Sequence, residues 1–439
     1  MTSPFLARWG VSLVAFGVLL CITVLYFSAH PLYLALSAIS DGAVRHFPFG
    51  DLAAILQAGK CWGQGVNVYA PNSCMGGGEF NYSPLMLHVF WLLHLQPSWS
   101  FLCGLALGGV YCVALGWLPP AGSWRELALR LASAISPASY FAIEQANIDV
   151  FLFVMLTGAV WLLSRSLAWR MGGYGLILTG FLLKFYPVAM LPLAMREKRS
   201  HFSAGAAVSL CVGTLFLAYF YHGIVAAIAT LPISDPFINT FGAINLSSGL
   251  LTLYAGSGHA TPQWLAYNIP WFNVPHAIWV PQPDIRLCQD ACIVAWAMLT
   301  WRRGQIPLAE LNSGEPLFLE ASALLISVCF LLASNLSYRA IYLSLAVPGL
   351  WRLRKTYRPA YGLLAILVFE LWEAPIRDFF QALDHVLHAG PGPALLFWLA
   401  REVLWWWLAA GLLRIVLAFA ILHLGRLLAG KIDAIKLEA

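Results

Sequence analysis

The chain has 439 residues, 60% of them hydrophobic and only 10% charged, whereas a soluble domain carries about 25% charged residues. Apolar runs near the ~20 residues that cross a bilayer recur along its whole length, which excludes a soluble enzyme and defines an all-α polytopic membrane protein. The net charge of +5 is spread over short loops without a dense basic patch, which excludes a nucleic-acid surface, and the continuous runs exclude an alternating β-barrel.

Residues 11–29, preceded by Arg8, are longer than a signal-peptide core and lack a small-residue cleavage pattern. They are expected to form a retained first span with a cytoplasmic N-terminus. The polar stretch 30–97 then forms the first outer loop. Within it, Asp51 precedes a short helix over 52–60 and reads either as that helix's cap or as a general base at the membrane surface. Asp41 is the alternative base, although its Asp-Gly pair resembles a turn. Cys61 and Cys74 share the loop and could pair if it faces an oxidising compartment. The apolar run 84–95 is too short to cross and is expected to lie at the interface. Further spans are expected at 98–117, 126–142, 148–163, 203–221, 287–301, 317–333, 338–351, 361–372 and 394–423. Together they give about twelve membrane helices, some half-length, and a cytoplasmic C-terminus. Outer regions are expected at 30–97, 222–285 and 373–393, with no soluble domain anywhere in the single unit 1–439.

Five Lys/Arg clusters anchor this topology on the cytoplasmic side. They are Arg165 and Arg170; Arg196, Lys198 and Arg199; Arg302 and Arg303; Arg352, Arg354, Lys355 and Arg358; and Arg426 and Lys431. Only one apolar stretch, 173–194, separates the first two clusters, so a single crossing would put one of them on the wrong side. A hairpin of two short helices resolves the conflict. It would break between Lys184 and Pro187, because proline disfavours helical geometry in the residue before it, and would leave Lys184 at its tip facing a cavity.

An ionisable residue inside an apolar run is costly and is a functional candidate by default. Lys184 either snorkels to the interface or binds a phosphate as a point charge. Arg339 opens an otherwise apolar span beside Tyr338; the pair reads as interfacial anchors or, for Arg339, as a bidentate phosphate ligand. Lys60, Arg45 and His46 are further phosphate candidates. The turn Glu144-Gln145-Ala146-Asn147-Ile148-Asp149 is an ordinary polar turn or a set of hydrogen-bonding groups for sugar hydroxyls. Asn245 and Ser247 carry the same two readings. Cys288 and Cys292 lie one helical turn apart with no His or carboxylate at ligand spacing, so no metal site is expected, and no Gly-rich phosphate loop is present.

The order of these features resembles a known family. A first span leads to an outer loop with an early Asp51 and a later Tyr69. The segment Phe80-Asn81-Tyr82-Ser83-Pro84 opens a helix, a Ser136-Pro137 rise leads to Gln145-Ala146-Asn147, and Lys184 and Pro187 mark a broken helix. From about residue 11 to 353 this is similar to the membrane-embedded GT-C glycosyltransferases, and specifically to glycosyltransferase family 87, which includes polyprenol-phosphate-mannose-dependent mannosyltransferases. The resemblance implies a GT-C-like bundle in a bacterial inner membrane, with an extracytoplasmic active site. It implies inverting transfer of a sugar, mannose favoured, from a polyprenyl-phosphate donor to a lipid-linked or glycan acceptor. Besides these substrates only membrane lipids are implied as partners, with no nucleic acid, cofactor or metal. Asp51 would be the catalytic base, and Tyr69 and Tyr82 would shape the acceptor side. Glu144, Gln145 and Asn147 would contact substrate, Lys184 would bind the donor phosphate, and Asn245 and Ser247 would match an Asn-x-Ser element. Two positions depart from the family pattern: Glu144 stands where glycine is usual, and Arg339 where a histidine is common. The alternative reading, a transporter or lipid flippase, predicts charges along a through-path and matching halves; the polar residues instead gather on one side, and no internal repeat is visible.

Overall fold

A computed structural model describes residues 3–41, 47–231, 234–257, 259, 266–269, 278–301, 306–312, 314–387 and 392–429. The side chain of Asp41, and Arg45, His46, Arg302, Arg303 and Lys431, lie outside the described residues. Helices α1 (Pro4–Ser28), α2 (His30–Asp41), α3 (Gly50–Gly63) and α4 (Pro84–Leu92) are followed by α5 (Ser100–Leu115), α6 (Trp124–Ala134), α7 (Pro137–Glu144), α8 (Ile148–Leu163) and α9 (Leu167–Leu183). The second half contains α10 (Arg199–Ala229), α11 (Ala243–Gly256), α12 (Pro283–Trp301), α13 (Glu315–Leu332), α14 (Val347–Leu353), α15 (Pro359–Leu371), α16 (Glu373–Leu387) and α17 (Gly392–Ala429). Two long 3-10 runs, Tyr186–Arg196 and Ser337–Leu345, complete the bundle. Among the described residues there are four short strands: β1 (Thr240–Phe241), β2 (Ala266–Ile269), β3 (Ile278–Pro281) and β4 (Asn335–Leu336). β1 pairs antiparallel with β4, and β2 with β3.

Local chemistry sets the helix starts. Ser3-Pro4, Ser83-Pro84 and Ser136-Pro137 each place a serine before a first-turn proline. The three hydroxyls accept from the amides of Leu6, Leu85 and Ser139, satisfying donors the helix leaves orphaned, while proline loses nothing at a position without an intrahelical partner. Asp51 does not play this part. α3 starts one residue earlier, after a left-handed Phe49, and has no side-chain cap; the cap reading is thus corrected.

Among the described residues five helices are long and apolar enough to cross a membrane: α1, the segment Pro97–Leu115 containing α5, α10, α13 and α17. Two bent pairs, α7 with α8 (110°) and α15 with α16 (66°), raise the number to seven if each is one span. The chain is therefore a predominantly helical membrane protein. The larger expected number counted apolar runs that are divided among shorter helices and 3-10 segments. Residues 126–142 break at Ser136-Pro137, and 338–351 begins as a 3-10 run. The supposed outer region 373–393 contains α16, whose Glu373 and Arg377 are buried. α13 is the most enclosed of the five candidate spans, 78% buried against 17% for α10; α10 leaves Leu210, Leu215 and Tyr219 exposed, as a lipid-facing helix does.

The break at Lys184 has a different form from the two half-helices expected. α9 is a full helix, and the returning leg is the 3-10 run Tyr186–Arg196. A rise of ~2 Å per residue lets its eleven residues extend about 22 Å, against about 25 Å for α9 at 1.5 Å per residue. Arg170 Nε and Nη2 donate to Glu197 at 2.7 and 3.0 Å, so the two basic clusters flanking the hairpin do lie at one end of the bundle. The same end carries Arg196 on Glu320 at 2.6 Å, Arg352 on Glu315 at 3.3 Å, and Arg130 on Glu126.

Candidate functional site

The opposite end is assembled by element reversals. α8 starts there and α9 returns there, so Asp149 in the first turn of one lies beside Lys184 at the end of the other. α13 also arrives at this end, and after β4 the chain leaves along Ser337–Leu345, bringing Tyr338, Arg339 and Tyr342 to the same place.

Asp149 is the hub. Its side chain is fully buried, and both carboxylate oxygens accept from Lys184 Nζ at 2.9 Å. Arg339 Nε reaches Oδ2 at 3.3 Å, and the Tyr186 hydroxyl donates to Oδ1 at 2.5 Å. The Tyr342 hydroxyl donates to the backbone carbonyl of Asp149 at 3.1 Å. A carboxylate this deep is costly unless paired and hydrogen-bonded, and here two cations and a phenol share it. Arg339 is oriented further by Nη1, which donates to Asn335 Oδ1. Among the described residues its Nη2 has no acceptor, and 17% of the side chain is exposed. Arg339 therefore presents an unused donor next to a second cation. Lys184 does not face open space as expected. The rings of Tyr82, Tyr186 and Tyr338 lie 5.1, 5.8 and 5.9 Å from its Nζ, within cation–π range, and only 10% of its side chain is exposed.

Asn147 links this hub to Asp51. Its Oδ1 accepts from the Asp149 amide at 2.9 Å, capping α8, and its Nδ2 donates to Asp51 Oδ2 at 2.5 Å. The capping bond fixes which way the amide points. Tyr338 interacts with the Asn147 side chain, and Tyr82 feels Asp51, Asp149, Tyr338 and Arg339. Two backbone bonds hold the start of α3 on this turn: Phe49 N–H to Glu144 O at 2.6 Å and Leu52 N–H to Gln145 O at 3.3 Å. Phe49 (φ 64°) and Ala146 (φ 44°) are both left-handed non-glycines, a conformation that costs energy and gathers at functional sites.

Six sequence candidates thus converge: Asp51, Tyr82, Asn147, Lys184, Tyr338 and Arg339. Glu144 and Gln145 bond to each other, and Glu144 Oε1 accepts from Tyr33 OH at 2.8 Å, which turns the carboxylate toward α2. Lys60 is exposed in the last turn of α3, nine residues beyond Asp51 and so about 13 Å along the axis; it is not brought to the cluster. Tyr69 packs on Phe80 with a centroid distance of 5.8 Å; among the described residues its hydroxyl has no partner, and burial pushes its phenol upward. Asn245 donates to Thr240 Oγ1 at 3.1 Å, behind β1, and Ser247 donates to Gln289 Oε1 at 3.1 Å, toward α12. In the sequence Asp149 was read only as one member of the polar turn 144–149, and Asn335, Tyr186 and Tyr342 were given no role in the site. The signal for Asp149 was partial: a lysine buried in an apolar run needs an anion, and the polar turn offered two carboxylates, Glu144 and Asp149, without distinguishing them. Cys61 and Cys74 form a disulfide. Among the described residues no group of three or more His, Cys, Asp or Glu could hold a metal ion.

Beside the cluster runs an apolar groove. One part lies among α1, α2, α5 and α7, lined by Val18, Leu36, Ile39, Tyr111 and Pro137; the next is lined by Tyr26, Tyr33, Phe49, Phe101 and Glu144. Leu19, Ile22, Tyr140 and Ile143 border both. The groove meets the site at Phe49 and Glu144, the residues whose backbones bond each other. Compared with known protein families, functionally characterised proteins and solved structures, the chain shows no significant match.

Proposed function

We propose that the chain is an integral-membrane glycosyltransferase that moves a sugar from a polyprenyl-phosphate donor to a lipid-linked or glycan acceptor. The observation that carries this reading is the convergence of two cations, Lys184 and Arg339, on one buried carboxylate, with Asp51 one amide away. A phosphate leaving group needs fixed positive charge where negative charge develops. The unused Nη2 of Arg339 and the adjacent ammonium supply it, doing the work a divalent ion does elsewhere. Asp51 then takes the acceptor hydroxyl's proton. The new bond forms between that oxygen and the anomeric carbon, and the bond to the phosphate oxygen breaks on the opposite face, its electron pair leaving with the phosphate. Inversion follows from this single displacement. The apolar groove ending at Phe49 suits the carrier chain of a lipid donor.

The finer assignments belong to the same proposal. They are about twelve membrane segments with cytoplasmic termini, a bacterial inner membrane, and an extracytoplasmic site. The Cys61–Cys74 disulfide supports that side, because such bridges persist in oxidising compartments. The motif order resembling the GT-C enzymes favours mannose as the sugar. The test is an assay of purified protein with a panel of short-chain polyprenyl-phosphate sugars, comparing the wild type with Asp51→Asn. A positioned base contributes ~10²–10⁴-fold, so the variant should lose activity by that factor while still binding donor. Equal turnover by the variant would remove Asp51 from its role, and a folded wild type that consumes no donor would overturn the reading.

A further inference from the structure

A second buried ionic cluster lies outside the site, between α16 and α17. Arg401 and Arg377 are 1% and 6% exposed, and Glu373 and Glu402 are also buried. Arg401 Nη2 donates to Glu402 Oε1 at 2.5 Å, and its Nε lies 3.5 Å from Glu373 Oε2. Its other bonds go to main chain: Nη1 to Ile238 O at 2.6 Å and Nη2 to Pro236 O at 2.7 Å. Arg377 Nη1 donates to the side-chain oxygen of Asn239. The two guanidiniums thus grip residues 236–239 from one side.

On its other side the same segment holds the start of the Ser337–Leu345 run. Ser337 N–H donates to Asn239 O at 2.8 Å, and β1 pairs Thr240 with Leu336 and Phe241 with Asn335. Asn335 in turn accepts from Arg339. The path from α16 and α17 to the guanidinium of Arg339 is therefore continuous in hydrogen bonds. Bent 3-10 backbone supplies no long helical ladder to fix Arg339 by itself.

We propose that Arg377 and Arg401 are positioning residues: acting through 236–241 and Asn335, they aim Arg339 at the phosphate. The inference rests on the reading of Arg339 as a phosphate ligand, and a displacement near 1 Å far from the chemistry can cost about 100-fold in rate. The test is a double-mutant cycle of Arg377→Met against Arg339→Lys, together with hydrogen–deuterium exchange over 335–341. Arg377→Met alone should lower kcat by about 100-fold with KM little changed. In the Arg339→Lys background it should change kcat by no more than about twofold, because the aimed group is already gone. The Ser337 amide should exchange faster in Arg377→Met and in Asn239→Ala, which removes the Arg377–Asn239 side-chain bond from its other partner and leaves the sequence of α16 unchanged, while amides of α8 keep their protection. Equal losses in both backgrounds would overturn the proposal, as would unchanged exchange at Ser337. If the wild type turns over no donor, the functional reading fails, and the exchange result still decides the positioning.

Discussion

Asp149 shows why one carboxylate can matter more to the fold than the neighbouring Asp51, the residue proposed to do the chemistry. It is buried on every side and balances Lys184 and Arg339. Converting it to asparagine keeps the shape but leaves two buried cations without an anion. Breaking a buried pair by removing one partner costs roughly 3–5 kcal/mol, so Asp149→Asn should unfold at clearly lower denaturant or temperature than the wild type in the same detergent. Asp51 is only partly buried, and Asp51→Asn keeps an acceptor for Asn147, so its unfolding should stay close to wild type. Equal stability of the two variants would contradict the hub assignment. This ranking could not be read from the chain, because Asp149 sits in a polar turn with Glu144 and Asn147 as equally plausible partners. Lys184 was legible because charge inside an apolar run is conspicuous. Its anion was not, because it sits 35 residues away at the start of another helix.

Among the elements, α3 carries Asp51 and is held at both ends. Its first turn hangs on the carbonyls of Glu144 and Gln145, and Cys61 in its last turn is bridged to Cys74 across 13 residues. Gln57 adds a bond from Nε2 to Cys74 O at 2.9 Å. A closed loop of this size is worth about 3 kcal/mol in chain entropy. Cys61→Ser, or reduction of the wild type, should therefore speed proteolysis between Gly63 and Tyr82 by a large factor, and activity should fall as α3 loses its far anchor. Unchanged cleavage would mean that the packing of Ile55, Ala58, Val68 and Phe80 holds the loop alone. The hairpin at Lys184 was legible from the charge clusters and Pro187. The 3-10 character of its return leg was not, since apolar periodicity does not separate a tight helix from an α-helix over eleven residues. α16 escaped for a different reason: Glu373, Arg377 and Asp378 make it look like a solvated loop, and its packing against α17, α2 and α7 makes a charged helix affordable. The pairing of β1 with β4 joins residues 94 and 96 positions apart and leaves no local mark in the sequence.

For the molecule as a whole, the helical class followed from composition, because so few charges cannot cover a soluble surface. The whole molecule also separates its polar ends: ion pairs among Arg170, Glu197, Arg196, Glu320, Arg352 and Glu315 close one, and the Asp149 cluster occupies the other. Between them the apolar groove runs from α1 and α2 to Phe49. If it receives the carrier chain, blocking it should weaken donor binding and leave the chemical step alone, since the groove touches neither Asp51 nor Arg339. Ile22 borders both parts of the groove, so Ile22→Trp places an indole in the path. Excluding two methylenes at ~0.8 kcal/mol each should raise KM for a long-chain donor about tenfold. kcat should stay near the wild-type value, and a donor too short to reach Ile22 should be unaffected. An equal rise for both donors would mean that the tryptophan disturbs Phe49 and Glu144 directly, and no rise for either would place the carrier chain elsewhere.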